Sequence, residues 1–327
     1  MKVFIFTWNT QSFQFDKNYQ PTFLEELRNL VLTDHYTLAV FAFQEEAGQS
    51  QLLSYIEGYL KYKYDLVDVA QMLGWGVTTL KRLQVGEYVP RGLRLAIFKR
   101  IDTDLQITRM QSCCLLCPSL RDWITWGKGA ALITLETNLG VITFMNVHLP
   151  FYSRMEREEA LTWQSYCFSY LYKAALENIQ PDYLFLMGDL NFRVLLRNEP
   201  TAFEVATKMI NSPEYLVELL QEADELRIIL GYAKLRGELP LLEGINDQGP
   251  RFLPTCKLRQ GRTPSEEPTV ATYKLGTSYQ RPPSWCDRIL YQAVQEEKVI
   301  RCTGYFRWDR GNMNQSDHAA VIGTFMI

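Results

Sequence analysis

Acidic, amide and imidazole side chains interrupt the apolar segments of the sequence at five places, each at one end of a segment. The polar residues at these places are Asn9, Gln44 with Glu45, His148, Asp189 with Asn191, and Asp317 with His318. A single polar residue beside a strand is most often a turn former or a surface residue. Because strands of one sheet bring their ends to a common edge, five such places together predict a ligand site at that edge.

The side-chain types in this set favour metal-assisted hydrolysis of a phosphoester. Carboxylate and amide oxygens are hard ligands, which favour Mg²⁺ over zinc. In such a reaction the cation polarises the phosphate, a carboxylate activates the attacking water, and imidazolium groups stabilise the transition state. Nucleophilic serine or cysteine catalysis fits less well, because the sequence lacks the strained Gly-x-Ser-x-Gly motif.

The elements that must position these residues can be read from hydrophobic periodicity. Strands are predicted at 2–9, 38–44, 64–70, 93–99, 104–110, 130–136, 140–147, 182–188, 286–292, 298–306 and 319–326. Helices are predicted at 22–33, 47–60, 153–177 and 200–232. Strands therefore dominate both ends of an α/β chain.

The stretch 233–283 differs from the rest because it is rich in glycine, proline and charge. A domain linker is one interpretation. Segments with site-like residues lie on both sides of it, however, so it is predicted to be a variable, loop-rich insertion within one domain that covers 1–327.

Composition is typical of a globular protein, with 47% apolar and 22% charged residues in 327. The net charge of −3 provides no global basic field of the kind that attracts nucleic acid, although a local basic pocket is compatible with it.

The seven cysteines are an odd number without paired spacing and are predicted to be free thiols in a reducing compartment. The apolar start of the chain is short and lacks a cleavage site, which predicts a buried strand rather than a signal peptide. We therefore expect a cytoplasmic protein whose membrane contact, if it makes any, is peripheral.

Two segments resemble motifs of the inositol polyphosphate 5-phosphatases, a branch of the endonuclease/exonuclease/phosphatase superfamily. Residues 188–193, Gly-Asp-Leu-Asn-Phe-Arg, are similar to the family's Gly-Asp-x-Asn-Phe/Tyr-Arg, and residues 281–290 are similar to its Arg-x-Pro-Ala/Ser-Trp-Cys-Asp-Arg-Ile/Val-Leu. Shorter supporting segments occur in the family's order, at 8–9, 43–45, 128–130, 146–149 and 316–318. The resemblance implies a four-layer α/β sandwich of two packed mixed β-sheets flanked by helices.

The resemblance also implies roles for individual residues. Glu45 would bind Mg²⁺, Asn9 would support the metal site, and Asp317 would lie near the metal. Asp189 would be the general base, Asn191 would orient the scissile phosphate or the water, and His148 would contact that phosphate. His318 would stabilise the transition state while Asp287 holds its imidazole charged and oriented.

Cationic residues are expected to bind the phosphates that are not cleaved. By resemblance these are Lys128, Arg193, Arg281 and Arg288, with Arg281 at the 4-phosphate; a structural salt bridge is the alternative for Arg288. The family's Pro-Thr-Tyr-Lys aligns either at 254–257, where Cys256 replaces the tyrosine, or at Tyr273-Lys274. Lys257 is favoured slightly over Lys274, and both stay open. The sequence also departs from the family's Gly-Asn-Lys-Gly at 126–129, where it has Trp-Gly-Lys-Gly.

The function implied is removal of the 5-phosphate from a phosphoinositide headgroup or from a soluble inositol polyphosphate. No nucleic acid and no obligate protein partner are indicated. Two alternatives are a related phosphodiesterase, such as an abasic-site nuclease or a sphingomyelinase, and an inactive binding module. The residues at 285–288 and the acidic pI of 5.8 argue against the nuclease. The filled catalytic positions argue against the inactive module.

Overall fold

The computed structural model describes most of the chain. The described residues are 1–13, 21–47, 50–74, 91–118, 127–151, 156–195, 201–236, 242, 244–275 and 282–327. Within them the strands are β1 (Lys2–Asn9), β2 (Leu38–Ala47), β3 (Tyr64–Gly74), β4 (Arg91–Arg100), β5 (Ile107–Leu116), β6 (Gly129–Thr137), β7 (Gly140–His148), β8 (Tyr183–Asp189), β9 (Asn246–Asp247), β10 (Asp287–Ala293), β11 (Arg301–Trp308) and β12 (Ala320–Met326). The helices are α1 (Leu24–Thr33), α2 (Leu52–Leu60), α3 (Arg157–Ile179), α4 (Ala202–Asn211), α5 (Pro213–Glu222) and α6 (Glu225–Arg236).

The strands form two six-stranded mixed sheets. The first has the order β11-β12-β1-β2-β4-β3 and the second the order β5-β6-β7-β8-β10-β9. Each sheet contains one parallel pair, β1 with β2 and β7 with β8, whose strands are connected through a helix, and its other pairs are antiparallel. Polar residues at the carboxyl ends of the parallel pairs are thereby aligned, with Asn9 beside Gln44 and His148 beside Asp189.

The main core lies between the two sheets and contains aliphatic and aromatic side chains from both, among them Val40, Ile97, Ile133 and Phe185. Burying one such side chain contributes about 1.5–3 kcal/mol. On the outer face of the first sheet α1 and α2 bury apolar side chains, and α3 and α6 do the same on the second. The predicted four-layer α/β sandwich is therefore confirmed.

Hydrogen bonds from one polar side chain connect the sheets inside this apolar core. The Asn146 Nδ2 group, on β7, donates to the carbonyl oxygens of Phe43 and Arg94 at 2.9 Å each. Its Oδ1 accepts from Gln44 Nε2 at 2.7 Å. Here β2 contains a bulge, since Gln44 and Glu45 together face one residue of β4. The bulge frees backbone groups that Asn146 satisfies from the other sheet.

The helical boundaries differ from the sequence prediction mainly at 200–232. This stretch forms three helices rather than one, because Ser212 and Pro213 end α4 and begin α5. The Ser212 side chain caps α5, and proline is tolerated only in the first turn of a helix. The predicted helix at 47–60 begins only at Leu52, since β2 continues to Ala47. The two-residue strand β9 was not predicted. No helix among those described has the length and hydropathy needed to cross a bilayer.

We predict that Asn146→Ala lowers the free energy of unfolding by about 2 kcal/mol, because it removes the side-chain donor of two buried backbone carbonyls. Urea unfolding followed by tryptophan fluorescence measures the change. Asn211→Ala, at an exposed position at the end of α4, is the control and should change stability little. A loss of stability as small as that of the control would contradict the bridging role of Asn146.

Candidate active site

The aligned strand ends meet at a polar cleft of about 450 Å³ at one edge of the two sheets. Ten of the residues predicted from the sequence line it: Asn9, Glu45, Lys128, His148, Asp189, Asn191, Arg193, Lys257, Asp317 and His318. Five lining residues were not given a role from the sequence: Gln11, Arg91, Phe151, Cys256 and Gln260. The predicted convergence of distant segments is therefore confirmed, but the converging strand ends come from two sheets rather than from one.

Asp189 lies at the centre of the cleft floor. Its Oδ2 accepts a hydrogen bond from Asn9 Nδ2 at 2.9 Å and lies 3.3 Å from His148 Nε2 and 4.0 Å from His318 Nε2. Burial alone would raise the pKa of Asp189, but the charge of His318 and the hydrogen bond with His148 hold it well below its ordinary value. Asp189 is therefore a buried carboxylate that stays ionised.

The close approach of β8 to β7 depends on Gly188. Its φ is 141°, and a Cβ atom at this position would lie 1.9 Å from the carbonyl oxygen of Val147. Only glycine fits such a contact without displacing the backbone. The Gly-Asp-x-Asn motif therefore requires glycine for a steric reason: the close approach of the strands brings Asp189 beside His148.

His318 is held by Asp287, the first residue of β10. Its Nδ1 lies 2.8 Å from Asp287 Oδ2, which also accepts a hydrogen bond from the Thr255 hydroxyl at 2.6 Å. Burial would lower the pKa of His318, but the negative charge of Asp287 raises it well above its ordinary value. The imidazole is therefore cationic, and its Nε2 is directed to the Asp189 side of the cleft.

The surroundings of His148 lower its pKa, whereas those of His318 raise it. Its ring is fully enclosed, and the Lys128 ammonium group contacts its Nε2. Burial and the charge of Lys128 lower the pKa of His148 in spite of the hydrogen bond with Asp189. The two histidines of the cleft therefore differ in protonation near neutral pH, one neutral and one charged.

The β2 bulge turns Glu45 into the cleft. Glu45 has a φ of 50°, and its carboxylate is 3.0 Å from Arg91 and 3.9 Å from both Lys128 and His148. Burial would raise the pKa of Glu45, but the positive charge of Lys128 foremost, together with that of Arg91, holds it below the ordinary value. The result is an ionised carboxylate that is still one quarter exposed to the cleft.

The donor set of the cleft fits a hard divalent cation. Glu45, Asn9 and Asp317 supply only oxygen and amide groups, and Glu45 and Asp189 flank the same imidazole nitrogen at 3.9 and 3.3 Å. Hard cations such as Mg²⁺ and Ca²⁺ prefer these ligands. Within the described residues, Asp189, Asp287 and His318 also lie close enough to share an ion. An ion there would compete with the Asp287–His318 hydrogen bond, so the Glu45 side of the cleft is the better location.

Arg193 lies over the ring of Phe151, with 4.8 Å between its guanidinium carbon and the ring centre. Its Nη2 donates to Asn191 Oδ1 at 2.8 Å and its Nη1 contacts Cys256 Sγ at 3.4 Å. Stacking and hydrogen bonds fix the guanidinium plane. Arg193 is thus a preorganised cation on the wall of the cleft, as its motif predicted.

The two alternatives for the lysine near the 4-phosphate have different positions. Lys257 lines the cleft, with its Nζ 2.9 Å from Asp317 Oδ2. Lys274 is exposed and not part of the lining, and its backbone N–H donates to the Lys257 carbonyl. The predicted substrate contact of Tyr273 is not supported, because the ring is buried and its hydroxyl donates to the Pro254 carbonyl. The structure thus places Lys257, and not Lys274, in the lining of the cleft, while the contact of either lysine with a 4-phosphate stays a prediction.

The prediction that Arg288 binds substrate is wrong. Its side chain is completely buried and forms ion pairs with Asp224, at 3.1 Å, and with Asp247. These contacts attach β10 to the start of α6 and to β9. The structural salt bridge that the sequence left as the alternative is therefore the role the structure supports. Arg281 and Trp126 lie outside the described residues.

Arg91 is the cleft residue that sequence reasoning missed most clearly. It stands at the start of β4, opposite Ala47 of β2, and reaches Glu45 across the bulge. A charged residue at the beginning of a strand carries no signal in the sequence, because only the register shows what it faces. Gln11 and Gln260, which hydrogen-bond to each other at 2.8 Å, were also missed, because a glutamine in a turn carries no signal in the sequence.

The fold and the site define a class, namely four-layer α/β sandwiches with an acid–imidazole cleft at the shared edge of two sheets. The profile of endonuclease/exonuclease/phosphatase family 2 matches residues 6–324. The chain belongs to this family. Because the profile runs nearly end to end, the resemblance noted from the sequence motifs is confirmed at the level of the superfamily.

The curated relatives include phosphoinositide 5-phosphatases. The human phosphatidylinositol 3,4,5-trisphosphate 5-phosphatase 2 is 25% identical over the whole chain, and the yeast (Saccharomyces cerevisiae) polyphosphatidylinositol phosphatase INP53 is 26% identical over half of it. The chain spans 24% and 13% of the length of these two proteins. The relatives therefore support the branch that the motifs indicated.

Solved structures confirm the fold. The inositol polyphosphate 5-phosphatase domain of SPsynaptojanin, in complex with inositol (1,4)-bisphosphate and calcium, is 18% identical with a TM-score of 0.65 over 99% of this chain and 83% of that one. A Cimex nitrophorin, solved as the ferrous NO complex of a single-substitution mutant, is 19% identical with a TM-score of 0.66 over 99% and 97%. Proteins of different function share this fold, so the residues of the cleft must decide the function.

We predict that the two cleft histidines titrate on opposite sides of the ordinary histidine pKa of about 6.5, His318 above it and His148 below it. NMR of the imidazole resonances measures both, with His35→Gln simplifying the spectrum. In Asp287→Asn the titration midpoint of His318 should fall, because the stabilising negative charge is lost. An unchanged midpoint would contradict the assigned pairing.

The same shift makes stability depend on pH. Since the pKa of His318 is higher in the folded chain than in the unfolded one, its proton stabilises the fold. This contribution is complete below the unfolded-state value of about 6.5 and is lost as the pH rises through the raised folded-state pKa. Urea unfolding at a series of pH values measures it, and Asp287→Asn should flatten this part of the stability profile.

Proposed function

We propose that this chain is a divalent-metal-dependent phosphatase that removes the 5-phosphate of an inositol phosphate. The observation that carries the proposal is the position of the Asp189 carboxylate between the imidazoles of His318 and His148, in a cleft lined by Arg91, Lys128, Arg193 and Lys257. A buried carboxylate beside a fixed imidazolium suits the attack of water on a substrate with several negative charges. Mg²⁺ is the cation proposed.

Asp189 orients the attacking water and accepts its proton. Phosphoryl transfer passes through a loose transition state, so the water needs little deprotonation early in the reaction. A carboxylate with a low pKa is adequate under these conditions because it receives the proton late. Asn9 and His148 fix the Asp189 oxygen that faces the cleft.

His318 and the cationic residues stabilise negative charge on the phosphate in transit. Asp287 keeps His318 protonated, and Arg193 is held rigid by Phe151 and Asn191. Preorganised charges of this kind need no rearrangement during the reaction. Glu45, with support from Asn9 and Asp317, would hold a divalent cation, which would supply further polarisation of the scissile phosphate.

An inositol headgroup is proposed as the substrate on the basis of size and charge. The cleft of about 450 Å³ lies within the range of about 300–1,000 Å³ usual for small-molecule sites. Its cations are arranged around the acidic floor, as phosphates on neighbouring ring positions require. The names of the curated relatives point to the same substrate class. A phosphoinositide lipid and a soluble inositol polyphosphate share this headgroup. The cytoplasmic location and the peripheral membrane contact expected from the sequence remain predictions.

We predict that the chain releases phosphate from inositol 1,4,5-trisphosphate or from short-chain phosphatidylinositol 4,5-bisphosphate with Mg²⁺ and loses this activity in EDTA. Asp189→Asn should lower kcat by about 10²-fold or more, the usual scale for lost acid–base catalysis. Asp65→Asn, at an exposed position on β3, is the matched control. Nicking of abasic DNA in place of phosphate release would reject the proposal, and the two substrates distinguish the lipid from the soluble source.

We predict that Lys257→Ala raises KM for a 4,5-bisphosphorylated substrate by about tenfold, the loss expected for one hydrogen bond to a charged group. Lys274→Ala should leave KM nearly unchanged because Lys274 lies outside the cleft. A phosphate-release assay at varied substrate concentration measures both variants. A larger rise in KM for Lys274→Ala than for Lys257→Ala would contradict this prediction and assign the 4-phosphate contact to Lys274.

A further inference from the structure

Two cysteines meet in the wall of the cleft, and the mechanism above uses neither. Cys256 lines the cleft although only 2% of its surface is exposed, and Cys286 is completely buried. The backbone of Cys256 pairs with that of Ser284 through two hydrogen bonds, of 3.1 and 2.6 Å. This pairing brings Cys286, two residues along the chain from Ser284, next to Cys256, and the two thiols interact.

The surroundings make the two sulfurs unequal. The Arg193 guanidinium lies 3.4 Å from Cys256 Sγ, and a cation at this distance favours a thiolate. The hydrogen bond from Cys286, with the charges of His318 and Arg193, holds the pKa of Cys256 well below its usual range, whereas burial raises the pKa of Cys286. One sulfur is thus a nucleophile facing the cleft, and the other is a protonated thiol behind it.

We propose that Cys256 and Cys286 form a peroxide-sensitive thiol pair that closes to a disulfide and switches the cleft off. A nucleophilic cysteine reached by small oxidants and backed by a second cysteine is the arrangement found in redox-sensing sites. The cleft admits a molecule of the size of hydrogen peroxide, while the small exposure of Cys256 disfavours bulky reagents.

The reaction balances with a hydroperoxide as the oxidant. The Cys256 thiolate attacks the peroxide, so that an S–O bond forms, the O–O bond breaks, and the alcohol or water leaves with a proton from solvent. The Cys286 sulfur then attacks the sulfenic acid; an S–S bond forms, the S–O bond breaks, and the departing hydroxide takes the Cys286 proton as water. A dithiol reverses the process by reducing the disulfide.

Closure of the disulfide removes a contact that positions the catalytic machinery. Arg193 loses its contact with the Cys256 thiolate, and the same guanidinium donates to Asn191. Lys257 follows Cys256 directly in the chain and pairs with Asp317. Oxidation therefore displaces two cations of the cleft together. The thiol chemistry is independent of the substrate, whereas its effect on catalysis rests on the proposed function.

The test is treatment of the whole chain with hydrogen peroxide followed by differential alkylation and peptide mass spectrometry. We expect one disulfide between Cys256 and Cys286, and a fall in phosphatase activity of about tenfold or more that dithiothreitol reverses. In Cys286→Ser we expect a sulfenic acid at Cys256, which dimedone traps when the oxidised chain is unfolded in its presence. Cys256→Ser should form no disulfide and keep the activity it has before treatment.

The exposed pair Cys113 and Cys114 provides the control. Replacing both by serine should leave disulfide formation and inactivation unchanged. Oxidation confined to these exposed thiols, with Cys256 recovered reduced, would overturn the proposal. A chain that forms the Cys256–Cys286 disulfide but hydrolyses none of the inositol phosphates would support the thiol pair and reject the proposed function, so the two failures are distinguishable.

Discussion

The hydrogen bonds between Asn146 and the bulged strand β2 are the constraint on which the cleft depends. Two apolar sheets packed face to face can slide or rotate with small changes in buried area, since hydrophobic burial has no direction. A buried amide that must satisfy Gln44, Phe43 and Arg94 allows only one alignment. That alignment sets the bulge, and the bulge turns Glu45 towards the residues of the second sheet.

The pKa values of the cleft residues are set by a few charged groups that lie close together in a buried environment. Asp189 is stable as a carboxylate only because imidazole and ammonium groups surround it, and His318 is stable as a cation only because Asp287 faces it. Burial by itself would neutralise each of these groups. The same fold in a nitrophorin, whose structure is a ferrous NO complex, shows that the sandwich alone does not impose this chemistry.

The region predicted as a loop-rich insertion contributes directly to the cleft, through Cys256, Lys257 and Gln260. It is held in place by Arg262, whose guanidinium pairs with Asp309 at 2.8 and 3.0 Å and donates to the Ser316 carbonyl at 2.6 Å. These bonds are buried, and they join the insertion to the segment that carries His318. Irregular backbone can position functional groups accurately when buried polar contacts fix it to the sheets.

The amino-acid sequence was sufficient to predict most strand positions and seven residues of the cleft, because strands end where apolar alternation stops and polar side chains follow. The sandwich fold and the cleft residues Lys128, Arg193 and Lys257 were predicted from the resemblance to a known family. It could not establish the role of Arg288, since an arginine beside a motif aspartate can face either the cleft or the core. It left Lys257 and Lys274 both open and passed over Arg91, because each question depends on which strands are neighbours. The packed chain gives the positions of these residues and the direction in which the pKa of each histidine is shifted, since burial and charge distances exist only once remote segments are brought together.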